Sequence, residues 1–123
     1  MSYAERHKVT LVTDASGDAT GYSPVITGRI QSIVYVATDY AAGVDFTITG
    51  EATGETIWTE LNVNASKTVA PRQATHSTAG VAALYAAAGT AVNDYVALAN
   101  DRVKIVIAQG GNAKTGAFHI TIA

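Results

Sequence analysis

The sequence predicts an all-β protein: an antiparallel β-sandwich, of plain or jelly-roll type, with about seven to nine short strands. Apolar residues recur at every second position over most of the chain, and turn-forming residues interrupt them at short intervals. Strand patterns do not alternate with helical ones, which excludes an α/β fold. The 123 residues suffice for one domain. We place this domain at residues 8–123, behind an N-terminal arm of residues 1–7.

Five strands are expected in the first half of the chain. They cover residues 8–13, 19–23, 28–38, 44–49 and 55–63. The turn between the first two contains Gly17, which can adopt a positive φ. Residues 33–36 are apolar without alternation, so we expect both faces of the third strand to be covered. In the fifth strand, the spacing places Ile57 and Leu61 on one face and Trp58 on the other.

The second half of the chain is less regular. Residues 64–78 lack a sustained period and are expected to form a long excursion, which is uncommon in a compact domain unless it has a function. For residues 79–88 we favour an irregular strand over a short helical turn. A short strand is expected at 95–98. The chain then ends in a predicted hairpin, in which residues 102–108 pair with the last strand across a loop at 109–116.

The predicted core consists of the apolar residues on the inward faces of these strands. It fills the space between two sheets, as in other sandwiches. It comprises Val9, Leu11, Ile30, Val34, Val36, Val44, Phe46, Ile48, Ile57, Leu61, Val103, Ile105, Ile107, Phe118, Ile120 and Ile122.

Composition limits the partners of the chain. Charged residues make up only 15%, and 8 Lys and Arg residues stand against 10 Asp and Glu, for a net charge of −2. Because this provides no basic field for a phosphate backbone, nucleic acid is not an expected partner. The absence of cysteine excludes disulfides and thiolate chemistry. No apolar segment approaches the roughly 20 residues that span a bilayer, and the chain does not start like a signal peptide, so we expect no membrane contact.

Candidate catalytic residues do not combine into a known pattern. The three histidines form no HxH or HxxxH pair, and the adjacency of His76 and Ser77 in sequence is not the geometry of a triad. The three glutamates Glu51, Glu55 and Glu60 are expected to be solvated charges at a rim. We therefore predict that the protein is not an enzyme and has no catalytic residue, metal ligand or cofactor.

The outward positions of the predicted strands carry Thr, Ser, Asn and Ala in place of Lys and Glu. Such a face costs little to desolvate, because few charges must be removed from water. We therefore expect part of the surface to be hidden in an assembly, and we predict a symmetric homo-oligomer, either a dimer or a trimer. The residues that we expect to contact a partner protein are Trp58, Arg72, His76 and Tyr85.

Four segments resemble small proteins from the structural gene clusters of tailed bacteriophages and prophages. They read HKVTLVTDASGDATGYSPVITGRIQSIVYV, FTITGEATGETIWTELNVNAS, APRQATHSTAG and RVKIVIAQGGNAKTGAFHITIA. The resemblance implies a virion component, made in the cytoplasm of the bacterial host and without a cofactor. Within that class, the chain is most similar to a head decoration (cement) protein, which binds the major capsid protein at the surface of the phage head. The alternatives are a tail or head-tail joining component, and a receptor- or glycan-binding module at a virion tip.

Overall fold

A computed structural model describes residues 4–123, and every regular element in this range is a β-strand. The prediction of an all-β fold is thereby confirmed. The strands are β1 (Glu5–Val12), β2 (Ala19–Tyr22), β3 (Ile26–Val36), β4 (Val44–Gly50), β5 (Thr56–Val63), β6 (Lys67–Val69), β7 (Arg72–Ala74), β8 (Asn93–Asp101), β9 (Val103–Ala108) and β10 (Thr115–Ile122). Because β1 begins at Glu5, part of the predicted arm 1–7 is paired with a sheet, while residues 1–3 lie outside the described range.

The strands form two antiparallel sheets that pack face to face. Sheet A has the order β1-β10-β3-β8-β7, with β6 also paired to β3, and sheet B has the order β2-β9-β4-β5. Of the consecutive strands β1 and β2, β1 pairs with β10 in sheet A and β2 pairs with β9 in sheet B. Likewise, β3 pairs with β8 in sheet A, and β4 pairs with β5 in sheet B. This systematic exchange of strands between two sheets is the arrangement of a jelly roll.

The predicted C-terminal hairpin is wrong. β9 pairs with β2 and β4 in sheet B, whereas β10 pairs with β1 and β3 in sheet A. The connection between them crosses from one sheet to the other, and at this crossing the Gly110 N–H donates to the Gly17 carbonyl at 2.9 Å. Both strands alternate with one apolar face, and that pattern is the same for direct partners and for strands that face each other across a core.

The core between the sheets is centred on aromatic rings. The ring centroids of Tyr35 and Phe46 lie 5.0 Å apart, and Phe118 lies 5.1 Å from Tyr35 and 5.2 Å from Phe46. Trp58 and Phe46 form an edge-to-face pair with ring centroids 4.7 Å apart. Tilted and edge-to-face pairs at these distances are the favoured aromatic geometries.

Strand β3 alternates through the segment that was expected to be covered on both faces. Ile33 and Tyr35 are buried, whereas Val34 and Val36 are half-buried on the opposite face. The prediction of Val34 and Val36 in the core is therefore wrong. The reason is that only the inner face of sheet A meets sheet B, and its outer face has no second layer among the described residues.

Two β-bulges change the direction of the side chains of β5. At the first, Leu61 and Asn62 lie opposite the single residue Asp45 of β4, and Asn62 adopts a φ of 57°. The second is at Ile57. Each bulge interrupts the period of two, so both Ile57 and Trp58 are buried and Leu61 points to solvent. The prediction of Leu61 in the core is therefore wrong.

The chain between β5 and β8 extends sheet A. The expected excursion at 64–78 contains two short strands: β6 pairs with β3 beyond the end of β8, and β7 pairs with β8. Residues 79–88 contain turns and isolated β-bridges, and they form neither a helix nor a regular strand. We call residues 75–92, which connect β7 to β8, the loop arm.

Candidate functional surfaces

The four residues predicted to contact a partner do not form one cluster. Trp58 belongs to the core, is 9% exposed, and donates from Nε1 to Glu60 Oε1 at 3.1 Å. Arg72 lies on β7, and His76 and Tyr85 lie in the loop arm. The structure therefore places three of the four along one continuous segment at the β7 edge of sheet A, and the fourth inside the sandwich.

Backbone hydrogen bonds give the loop arm a doubly folded shape. The Ala83 N–H donates to the Thr75 carbonyl at 2.9 Å, and the Ala83 carbonyl accepts from the Val92 N–H at 3.0 Å. Residue 83 thus joins three segments that lie side by side. A turn closes the first fold, where the Ser77 N–H donates to the Val81 carbonyl at 2.8 Å. The loop arm is thus an ordered extension of the β7–β8 ladder.

The side chains of the loop arm are uncharged, and its large apolar ones are exposed. Residues 75–92 contain no Asp, Glu, Lys or Arg. Tyr85 is 76% exposed, Val81 65% and Leu84 44%. Large apolar side chains grouped at such exposure are typical of interaction sites. We therefore take the loop arm as the first candidate interface.

Two arginines near the base of the loop arm flank one tyrosine ring. The guanidinium carbon of Arg72 lies 4.2 Å from the ring centroid of Tyr95, and that of Arg29 lies 5.1 Å from it. Arg72 Nη1 also donates to the Pro71 carbonyl at 2.8 Å and to the Gln31 carbonyl at 3.3 Å. These contacts hold two positive charges in place on the exposed face of sheet A.

An open cleft of about 410 Å³ lies near the other end of β8. Asp101 lines it, and its Oδ1 accepts backbone N–H groups from Ala52 at 3.1 Å and Arg102 at 2.7 Å. Glu55 lines it as well, and the hydroxyl of Thr53 donates to this carboxylate and lowers its pKa. A general acid for glycoside hydrolysis needs a raised pKa, so Glu55 is poorly suited to that role. Both carboxylates serve to hold the β4–β5 turn.

The other two glutamates form ion pairs at the surface. The guanidinium of Arg102 donates two hydrogen bonds to Glu51, one of them at 2.8 Å, and these lower the pKa of that carboxyl. Lys67 Nζ donates to Glu60 at 2.7 Å and lowers its pKa in the same way. The second pair joins β6 of sheet A to β5 of sheet B. These carboxylates have the structural role expected of charges at a rim.

The histidines and Ser77 do not assemble a site. Within residues 4–123, no group of three or more His, Asp or Glu side chains is arranged to hold a metal ion. His76 is exposed and forms a backbone bridge with Ala82. The Ser77 hydroxyl accepts from the Val81 N–H at 3.3 Å, which supports the turn of the loop arm.

The chain matches no protein-family model and no curated protein. The part of the chain that the structure describes has no helix long and apolar enough to cross a membrane.

The sequence did not lead us to predict that Val81 and Leu84 are exposed. It also did not lead us to predict that Arg72 and Arg29 lie over the ring of Tyr95. A signal for the first pair was present, because 18 consecutive residues around them carry no charge. Arg29 and Tyr95 lie on strands far apart in the sequence, and only the order β3-β8-β7 brings them together. No local pattern reveals that order.

Proposed function

We propose that this protein is a non-enzymatic structural component of a phage virion, which binds the major capsid protein at the head surface and stabilises the shell. The sequence resembles small virion proteins of tailed phages, and the loop arm adds a physical reason. It presents Val81, Leu84 and Tyr85 to solvent within a segment that has no formal charge. This is the observation that most favours a protein-binding role.

Burial of the loop arm against another protein is favourable on three counts. Each Å² of apolar surface removed from water contributes about 25 cal/mol. No charged side chain in the segment has to lose its water. Its backbone hydrogen bonds already fix its shape, so less conformational freedom is lost on binding. Tyr85 is the expected anchor, since exposed tyrosines often dominate binding energy at interfaces.

A protein that binds the assembled shell, and not its separated subunits, stabilises the shell by mass action. Many copies on one head would strengthen the effect through avidity. We also infer that the chain forms a symmetric homo-oligomer, a dimer or a trimer, because a closed assembly would present several loop arms to neighbouring capsid subunits. Neither nucleic acid nor membrane is a partner in this proposal, and the chain would be made in the host cytoplasm before it joins the head.

The test is co-expression of the chain with the capsid proteins of its own gene cluster, followed by sedimentation of the assembled heads and electron microscopy. We expect copies on the head surface in a number that follows the shell lattice, and a higher temperature of head disruption when the chain is bound. A few copies at a tail or tip would contradict the proposal and favour a joining component or a receptor-binding module.

A matched pair of variants tests the role of the loop arm. Leu84→Ser with Tyr85→Ser removes the apolar anchors and should abolish sedimentation with heads. Val25→Ser removes an apolar side chain that is 58% exposed and lies near the end of β8 away from the loop arm, so it should sediment like the native chain. Equal binding by both variants would show that the loop arm is not the anchor.

A further inference from the structure

The outer face of sheet A carries side chains of one charge sign. Burial alternates along β1, so Arg6 and Lys8 point away from sheet B. Lys8 is the register partner of His119 on β10. Arg29 on β3 and Arg72 on β7 continue the set, and both lie over the same tyrosine ring. We call these five residues the basic face.

Among the described residues, none of the ion pairs with an Asp or Glu side chain involves a residue of the basic face. The basic face holds four of the 8 Lys and Arg residues of the chain, and the Asp and Glu side chains lie at turns, at strand ends, on the inner side of edge strands or on sheet B. The rest of the chain therefore has four basic residues against ten acidic ones. The net charge of −2 is therefore the sum of a positively charged basic face and an excess of acidic residues over the rest of the chain.

A shallow groove of about 240 Å³ crosses one half of the basic face. It is lined by Arg6, Val34, Val36, His119 and Thr121. The two valines are half-buried and give it an apolar floor. A groove of this kind suits an apolar side chain that has carboxylates beside it.

The spacing of the charges disfavours nucleic acid as the occupant. The face extends from β1 to β7, four inter-strand spacings or roughly 19 Å at ~4.8 Å each. Four charges over that width are sparse beside duplex DNA, which carries one charge per about 1.7 Å. The guanidinium groups of Arg29 and Arg72 already lie over the Tyr95 ring, which leaves less of their surface to stack on bases. A symmetric contact between two basic faces is also disfavoured, because like charges would oppose each other.

We propose that the basic face binds an acidic protein surface, with carboxylates that meet the arginines at each side and an apolar side chain in the groove. The identity of that surface rests on the proposed function, under which it belongs to the capsid shell. Arg72 lies three residues before the first residue of the loop arm, so one partner can contact both. The charges would then steer and orient the encounter, while the apolar loop arm supplies most of the affinity.

The experiment uses poly-L-glutamate as the probe and an NMR titration of the full chain at low salt. The basic-face variants are Arg29→Gln with Arg72→Gln, and separately Arg6→Gln with Lys8→Gln. The matched control is Lys104→Gln with Lys114→Gln, which removes the same charge from β9 and from the β9–β10 connection. Thermal unfolding checks that each variant folds, and the second basic-face variant does not touch Tyr95.

We expect the probe to shift backbone signals of β1, β3 and β7, and each basic-face variant to weaken binding by about tenfold with a smaller salt dependence. The control should change binding by less than about threefold. Equal weakening by all three variants would overturn the proposal. Tighter binding of a 20-base-pair DNA duplex through the same arginines would overturn it too, in favour of a nucleic-acid site. If heads never bind the chain while poly-L-glutamate still selects the basic face, the proposed function fails and this inference stands.

Discussion

The sandwich core and the loop arm both contain large apolar side chains, which are buried in the core and exposed in the loop arm. In the core, Phe118 is 0% exposed and Phe46 1%, whereas Tyr85 in the loop arm is 76% exposed. Two sheets enclose the core rings, and the loop arm is held by its own backbone hydrogen bonds and by the strands at its base. The hydrophobic content of 48% therefore includes large side chains that the two sheets do not enclose.

This division predicts where substitutions will act. Side chains that many neighbours enclose set the free energy of unfolding, because their removal leaves a cavity. Side chains in a segment with few buried contacts affect it little, and they are free to be selected for binding.

Phe118→Ala should lower the free energy of unfolding by about 3–5 kcal/mol, a large part of the stability of a domain this size. The ring contacts Tyr35 on the neighbouring strand of sheet A and Phe46 across the core in sheet B, and its loss leaves a cavity at the centre of the aromatic cluster. Urea unfolding followed by tryptophan fluorescence measures the change through Trp58. Phe118→Leu keeps more of the volume and should cost clearly less, and equal small effects of both would show that the sheets do not enclose this ring.

Alkaline pH should destabilise the fold through Tyr35 and Tyr40. Burial raises the pKa of each of these hydroxyls to about 12. Below pH 10 both the folded and the unfolded chain keep the protons, so this contribution to stability is fully present. Between pH 10 and pH 12 the unfolded chain releases them and the fold retains them. Stability should then fall by up to about 1.4 kcal/mol per pH unit for each tyrosine.

Urea unfolding at a series of pH values between 8 and 11 measures this slope. Tyr35→Phe with Tyr40→Phe should flatten it, although the loss of the 2.8 Å hydrogen bond from Tyr40 to the Leu11 carbonyl should cost about 1 kcal/mol at every pH. Tyr85→Phe, on the exposed loop arm, is the matched control and should leave the slope unchanged. A flat profile in the native chain would contradict the burial of the two tyrosines.

The same contrast explains how much of the fold could be predicted from the sequence. Alternation identified the inner faces of β1, β4, β9 and β10, because these strands keep a strict period of two where one face is buried. It failed at β5, where two bulges reverse the positions of Trp58 and Leu61. It also failed for the pairing of β9 and β10, since the identity of a strand's neighbour depends on contacts between distant parts of the chain.

The two candidate surfaces also differ in how far they could be predicted from the sequence. The loop arm could be anticipated in part, because Tyr85 and His76 lie in a segment whose lack of charge is visible in the sequence. The basic face could not, because its residues come from β1, β3, β7 and β10 and share a side only after the strands are ordered. A net charge of −2 describes the whole chain and not the charge of any one face.

The smallest effect is expected in the loop arm itself. Tyr85→Ser and Leu84→Ser should each change the free energy of unfolding by less than about 0.5 kcal/mol, because both side chains are already exposed to water in the folded chain. Leu98→Ser is the matched control on β8, where the side chain is 6% exposed, and it should cost several times more. Urea unfolding of the three variants side by side makes the comparison. A loss above about 2 kcal/mol for Tyr85→Ser would mean that the loop arm packs against apolar surface in solution, and its side chains would then belong to the fold and not to a partner.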